Sequence, residues 1–319
     1  MKKSLLIPGI AKKTEKVLKK LKLKPEISPA EFIRKTEGRK HRYYSICRDE
    51  KGKKFLLYAR LYKSLYEKER MMTEVKLVKA LSKKPIEFFP KYYLARIEKN
   101  FEWILREYFK VSPLERKESI EKLKRKLKEW EIKKIVRTLW EMNNLPMKDF
   151  PFLKNFDLKK YFILPEQILR ENIFDQKEIE RLIFFLEKNK NLFEKENKYF
   201  CHGDFQIGNI ILWKGKVRLI DLESANFNNF AFDLAFLTTR LWQEREMRKK
   251  FIEEYFMILP ETKKEIFKIL FPLDCLFIGF HAFMQEPREH SKKKIKERKE
   301  FCKRLLKNSL KGFEALINL

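Results

Sequence analysis

The sequence predicts an α+β chain of two lobes. A small lobe over residues 1–110 carries an antiparallel sheet of five strands and one helix, and a larger, mostly helical lobe covers 111–319. Three observations lead there. Between residues 30 and 110, short β-branched or aromatic runs alternate with turn signals. From Ser112-Pro113 onward, apolar residues recur mainly at helical spacing. One later stretch breaks that pattern: "YFCHGDFQIGNIILWKGKVRLIDLESANF", residues 199–227, holds strand-like runs and three of the chain's eight glycines.

Taken in order, residues 12–23 read as a short basic helix. "EFIRKTE", "RYYSICR" and "KKFLLYARLY" read as strands separated by "GRKH" and "DEKGKK". Residues 66–82 place Met71, Val75, Val78 and Leu81 on one helical stripe. "KYYLARIEKNFEWILREYF" supplies two more strands around a turn at Lys99-Asn100. Helices are expected over 113–127, 129–144, 157–171 and 176–190, and again from about residue 230 to the end. The last of them, rich in lysine, repeats Phe301, Leu305, Leu306 and Leu310 near helical spacing, as an amphipathic closing helix does.

The chain has 319 residues, 44% of them hydrophobic, enough for a sizeable core. Its net charge of +29 raises nucleic acid as a partner. Lysines, however, alternate with glutamates throughout, as in "SIEKLKRKLKEWEIKK", which is the pattern of solvated helix faces, and no nucleic-acid motif accompanies them. No specific nucleic-acid partner is expected. Cys47, Cys201, Cys275 and Cys302 are widely spaced, which argues against a zinc site and for free thiols in a reducing compartment. The N-terminal apolar run "LLIPGI" is too short for a secretory signal, and no stretch is long and apolar enough to span a membrane. A cytoplasmic protein is expected.

The chemistry is concentrated in 199–227. Asp204 precedes Asn209 by five residues, and Asp221 follows twelve later. "NIILW" and "VRLID" should pair as a hairpin around "KG", bringing Asn209 and Asp221 to one end. Two such oxygen donors suit Mg2+, which is held by one or two side chains with the remaining positions left to water and phosphate. Asp204 would then be free to take a proton from a hydroxyl. Phosphoryl transfer from ATP needs this division of labour, and His202-Gly203-Asp204 to Asn209 followed by Ile220-Asp221 has the spacing of a kinase catalytic loop and its metal-binding Asp.

The string "HGDFQIGNIIL…VRLIDLESANFNNFAFDLAFL" resembles the aminoglycoside phosphotransferase and choline kinase superfamily. Its pattern is met by His202 to Asn209, by Ile220 to Glu223, and by Asp233-Leu234-Ala235. The resemblance implies a protein-kinase-like fold and transfer of phosphate from Mg-ATP to a small-molecule hydroxyl. Gln206 stands where Ser/Thr protein kinases carry lysine, and no A-P-E segment follows Asp221, so a small-molecule acceptor is favoured.

The same resemblance assigns further residues. Arg60 falls at the phosphate-binding lysine position of the third strand, with Lys63 as an alternative, and Glu74 at the helix acid that pairs with it. "ILREYF" matches the hinge, whose backbone at Glu107 and Phe109 would bond adenine. The phosphate-covering loop keeps one glycine, Gly38, so Arg39, Lys40 or Arg42 would substitute for backbone cradling. His202 is expected to buttress the loop, Asp233 to brace it, and Glu223 to act near the metal or substrate or in structure. The acceptor stays open between amino alcohols of the choline or ethanolamine type, aminoglycosides and sugars. A choline-like cation would need an aromatic cage, for which Trp242, Tyr255, Phe283 and Glu286 are candidates. A nucleotide-binding pseudokinase is the alternative. Oligomeric state is not legible.

Overall fold

The computed structural model describes residues 7–35, 42–62, 64–111, 114–116, 119–123, 125–170, 175–284 and 292–317. The chain divides into two compact units. The first comprises Met1–Ser112 and Trp213–Ser224, and the second comprises Pro113–Leu212 and Ala225–Leu319.

The first unit opens with α1 (Ile7–Lys20), β1 (Lys24–Pro25) and α2 (Pro29–Lys35). It continues through β2 (Arg42–Arg48), β3 (Lys54–Leu61), α3 (Leu65–Lys83), β4 (Tyr92–Glu98) and β5 (Phe101–Glu107). The five strands form one antiparallel sheet in the order β1-β2-β3-β5-β4. Side chains alternate across it. Tyr43, Leu57, Ala59, Phe101, Trp103 and Leu105 pack with Ile10, Val17 and Leu18 of α1 and Phe32 of α2 in one buried cluster. Arg60 of β3 lies one residue out of step with that set. Its cross-strand neighbours are Arg42 on β2 and Glu102 on β5, so the three form one row on the opposite face.

One expected strand is a helix. The "EFIRK" of that run belongs to α2, its last two residues lie outside the described ones, and the short β1 completes the sheet instead. The reason is legible in "SPAE": Ser28 Oγ accepts the Glu31 N–H at 3.2 Å, its carbonyl accepts the Phe32 N–H at 2.9 Å, and Pro29 occupies the first helical position. Cap and proline outweigh the strand preference of the β-branched and aromatic residues. Phe32 then sets its ring edge-on to Tyr43 and Tyr44, 5.4 and 4.9 Å between centroids.

The second unit begins with a small hairpin, β6 (Glu115–Arg116) and β7 (Ser119–Leu123). A helix was expected over 113–127. That segment alternates lysine and glutamate with few apolar residues, so it has no broad apolar stripe with which to hold a helix. Next come α4 (Glu129–Asn143), α5 (Lys159–Phe162), α6 (Leu164–Arg170), α7 (Gln176–Lys188), α8 (Lys190–Glu196), β8 (Tyr199–Cys201) and β9 (Ile210–Trp213). The chain re-enters the first unit at Trp213 and forms β10 (Lys216–Leu219). It leaves after Ser224 for β11 (Asn226–Asn228), α9 (Phe232–Arg240), α10 (Arg245–Ile258), α11 (Glu261–Met284), α12 (Lys292–Lys311) and α13 (Phe313–Ile317). Rings of Phe230, Tyr255, Phe267, Phe271 and Phe313 interlock in the core of this unit. All four cysteines are free and buried. Among the described residues no helix is long and apolar enough to cross a membrane.

The return of 213–224 is held by specific contacts. The Leu219 N–H donates to the Phe88 carbonyl at 2.8 Å, Arg218 donates to the Glu87 carbonyl, and Lys216 pairs with the Glu87 carboxylate. The turn at Lys214-Gly215 has positive φ at both residues, 50° and 69°, the backbone of a tight two-residue hairpin turn.

Candidate functional site

In the second unit, the loop from His202 to Asn209 follows β8, which pairs with β11 in register Phe200↔Phe227. That pairing leads the chain from β11 into α9, whose first turn carries Asp233. Asp233 is fully buried and accepts the backbone N–H groups of His202 at 2.6 Å and Gly203 at 2.9 Å. Burial pushes its carboxyl up to about 7 against the pull of those two donors. Gly203 has φ of 74°, a conformation that costs glycine little and other residues more. Asp233 thus braces the loop, as the sequence suggested.

Further along, Asn209 folds back on the start of the loop. Its Nδ2 donates to the Asp204 carbonyl at 2.8 Å and to Asp204 Oδ2 at 3.0 Å, and Gln206 Nε2 donates to the same Oδ2 at 3.1 Å. Asp204 and Asn209 are therefore side by side, with the carboxylate partly exposed and the amide buried. With its nitrogen committed to Asp204, Asn209 has its Oδ1 to offer a cation.

In the first unit, Arg60 is buried and donates to three carboxylates. Nε–H reaches Glu102 Oε2 at 2.7 Å, Nη2 reaches Glu74 Oε2 at 3.0 Å, and Nη1 bonds Glu223 Oε2. The second oxygen of Glu223 takes Arg70 Nη2 at 2.6 Å, and the same nitrogen donates to Ser224 Oγ at 2.6 Å. The pair assigned from the resemblance, Arg60 with Glu74, is in contact. Glu102 was not anticipated, although its place opposite Arg60 across two strands was available from the pairing of "LLYARLY" with "FEWILRE".

The charges in this cluster are unequal. Burial, followed by repulsion from Glu102, raises Glu74 well above the carboxylate range. Burial pushes Glu102 up to about 7 despite the opposing pull of Arg60. Glu223 moves the other way: burial would raise it, but Arg60 and Arg70 together hold it below its ordinary value. Asp221 is exposed and has φ of 68°, a left-handed conformation that costs a non-glycine residue about 1–2 kcal/mol and that Asp tolerates better than most. One oxygen each of Glu74, Asp221 and Glu223 lies within 4.8 Å of the others. An all-oxygen, anionic set of this kind fits a hard divalent cation.

The remaining assignments fall out differently. The Glu107 N–H is already given to the Lys91 carbonyl at 2.8 Å, so the adenine contact expected of Glu107 reduces to its carbonyl. Phe109 is buried, its ring 5.9 Å from that of Trp213. Gly38, Arg39, Lys40 and Lys63 lie outside the described residues, whereas Arg42 is described and exposed. Of the aromatic cage, Tyr255 is a core residue, fully buried and bonded through its hydroxyl to Phe230 O at 2.7 Å and Asn143 Oδ1 at 3.0 Å. Trp242 packs on Phe301, Glu286 lies outside the described residues, and the Phe283 side chain is not described.

Solved structures with a similar fold include an amicoumacin kinase in complex with AMP-PNP and Ca2+, 14% identical over 84% of this chain and 86% of its own, with a TM-score of 0.54. The GDP complex of aminoglycoside 2'-phosphotransferase-IIIa is 11% identical over 94% of this chain and 99% of its own, with a TM-score of 0.58. A GDP and kanamycin complex of a 2"-phosphotransferase is also 11% identical, over 83% and 90%, with a TM-score of 0.56. At such identities the likeness establishes the bilobal, kinase-like α+β fold. No curated protein matches the chain. The family model described as the phosphotransferase enzyme family, that of the aminoglycoside phosphotransferases, matches residues 44–265, and with more than two thirds of its length so matched the chain belongs to that family.

Proposed function

We propose that the protein transfers the γ-phosphoryl group of ATP to the hydroxyl of a small molecule, with Mg2+ as the cation. The observation that carries this reading is the loop from Asp204 to Asn209. A partly exposed carboxylate is fixed there by the Asn209 and Gln206 amides, while Asp233 holds the start of the loop. That is a pre-aimed proton acceptor, as alcohol phosphorylation requires.

In this mechanism Asp204 orients the acceptor hydroxyl and takes its proton. The hydroxyl oxygen forms the new bond to the γ-phosphorus as the bond to the bridging oxygen breaks and ADP departs. Asn209 Oδ1 and Asp221 would hold Mg2+, which when bound neutralises phosphate charge. Arg60, kept in place by Glu74, adds a positive charge to the phosphates, and the carbonyl of Glu107 with the backbone of Phe109 receives adenine.

For the acceptor, the relatives' ligands favour polyols bearing amines, and the burial of Tyr255 weighs against the choline cage. ADP release should be measured across amino alcohols, sugars and aminoglycosides. The expected result is turnover with one class, reduced by about a thousandfold in Asp204→Asn while ATP still binds. Wild-type turnover by Asp204→Asn would refute the assignment.

A further inference from the structure

A cavity of about 230 Å³ lies in the first unit, bounded by Arg42, Arg60, Arg70, Ser64, Tyr66 and Glu223 among others. That is far more than the roughly 10–15 Å³ a single water needs. Three arginines line one space. Arg42 is exposed and helps to lower the Glu223 carboxyl, and Arg70 is about one-third exposed. The first turn of α3, whose 19 residues begin after the Ser64 cap, supplies part of the wall and the positive end of a helix dipole.

Glu223 occupies this space in a particular way. One of its oxygens is on Arg60 Nη1 and the other on Arg70 Nη2. Two oxygens of one anion bridging two guanidinium groups is the arrangement in which arginines hold a phosphate. Behind Arg60, Glu74 and Glu102 take two of its N–H directions, while Arg70 and Arg42 add two further cationic side chains to the wall.

The geometry points to a polyphosphate-binding clamp made by Arg42, Arg60 and Arg70, in which the Glu223 carboxylate is an internal occupant that an incoming phosphate displaces. Arg70 and Arg42 are thereby phosphate-contacting side chains additional to Arg60, and Glu223 sets how readily the clamp accepts its ligand. This rests on the reading of the chain as an ATP-dependent phosphotransferase.

The test is calorimetric titration of the full chain with inorganic tripolyphosphate, ATP and adenosine, in the wild type, Arg42→Gln, Arg70→Gln and Glu223→Gln, with unfolding midpoints to show that each variant is folded. Arg70→Gln should weaken tripolyphosphate and ATP binding about tenfold and flatten the salt dependence. Glu223→Gln should strengthen both about tenfold, because the competitor loses its charge. Adenosine should bind all four alike. Should Arg70→Gln not fold, Arg42→Gln, altered at an exposed side chain, carries the test with a weaker loss of the same sign. The proposal is overturned if Glu223→Gln weakens binding, or if the arginine and glutamate variants all stay within about twofold of the wild type. Tripolyphosphate responding as described while no acceptor yields ADP would instead refute the phosphotransferase reading and leave the clamp standing.

Discussion

Glu102 stands opposite Arg60 on the adjacent strand and takes its Nε–H at 2.7 Å. The contact explains why arginine suits a position where lysine is usual in the family. A lysine ammonium is a single point and can serve Glu74, but it has no counterpart to Nε with which to serve Glu102 from the same site. Glu102 is fully buried, and its other oxygen already lacks a partner. Arg60→Lys should therefore destabilise the protein by about 2 kcal/mol, the cost of leaving a buried carboxyl group without its hydrogen-bond partner. Adding Glu102→Gln to Arg60→Lys should recover most of that loss. Denaturant unfolding of the two single variants and the double variant measures the coupling, and strict additivity would show that the pair does not act as a unit.

Asp233 accepts two backbone N–H groups at the head of the loop from His202 to Asn209. Asparagine in its place offers one acceptor oxygen and turns an NH2 group toward a backbone donor. Asp233→Asn should cost about 2 kcal/mol and let the His202 and Gly203 amides exchange at least tenfold faster with deuterium. Turnover should fall with it, since Asp204 hangs on the same loop. Unchanged protection of those two amides would contradict the bracing role.

Tyr255→Phe separates core from cage. The hydroxyl is bonded to Phe230 O and Asn143 Oδ1 inside the second unit. Its loss should lower stability by about 1–2 kcal/mol and leave the KM for any acceptor unchanged. A rise in acceptor KM without loss of stability would return Tyr255 to the substrate site.

Much of this was legible in the linear sequence because the informative residues act locally. His202, Asp204 and Asn209 lie in one loop, and their spacing alone puts the amide within reach of the carboxylate. The Arg60–Glu74 contact could be read from a strand followed by a helix. What escaped depends on long-range closure. Nothing in "DLES" says that Glu223 lands on Arg60 and Arg70, more than 150 residues earlier, because that contact exists only once 213–224 joins the first unit. The difference at α2 is of another kind: the helix-start signal in "SPAE" stands in the sequence beside a β-branched and aromatic run that reads as a strand.

Asp274 carries the last prediction. It lies fully buried on α11, where Tyr161 Oη and Asn229 Nδ2 both donate to Oδ1, while Oδ2 has no hydrogen-bond partner among the described residues. Burial pushes its carboxyl up to about 8, against the pull of those two donors. The unfolded chain ionises it near pH 3.9, so the folded state binds a proton that the unfolded state has lost. The resulting contribution to stability is fully present below about pH 4 and falls as pH rises, levelling off above about pH 8. Asp233 and Glu102, each raised to about 7, slope the same way, so the wild-type curve alone does not isolate Asp274. Asp274→Asn does, because asparagine keeps the shape and cannot ionise. Thermal unfolding should show the variant gaining on the wild type from pH 5 to about pH 8, with the gap levelling off above that. Parallel curves for the two proteins would mean that Asp274 is ionised in the folded chain throughout, its charge held by Tyr161 and Asn229.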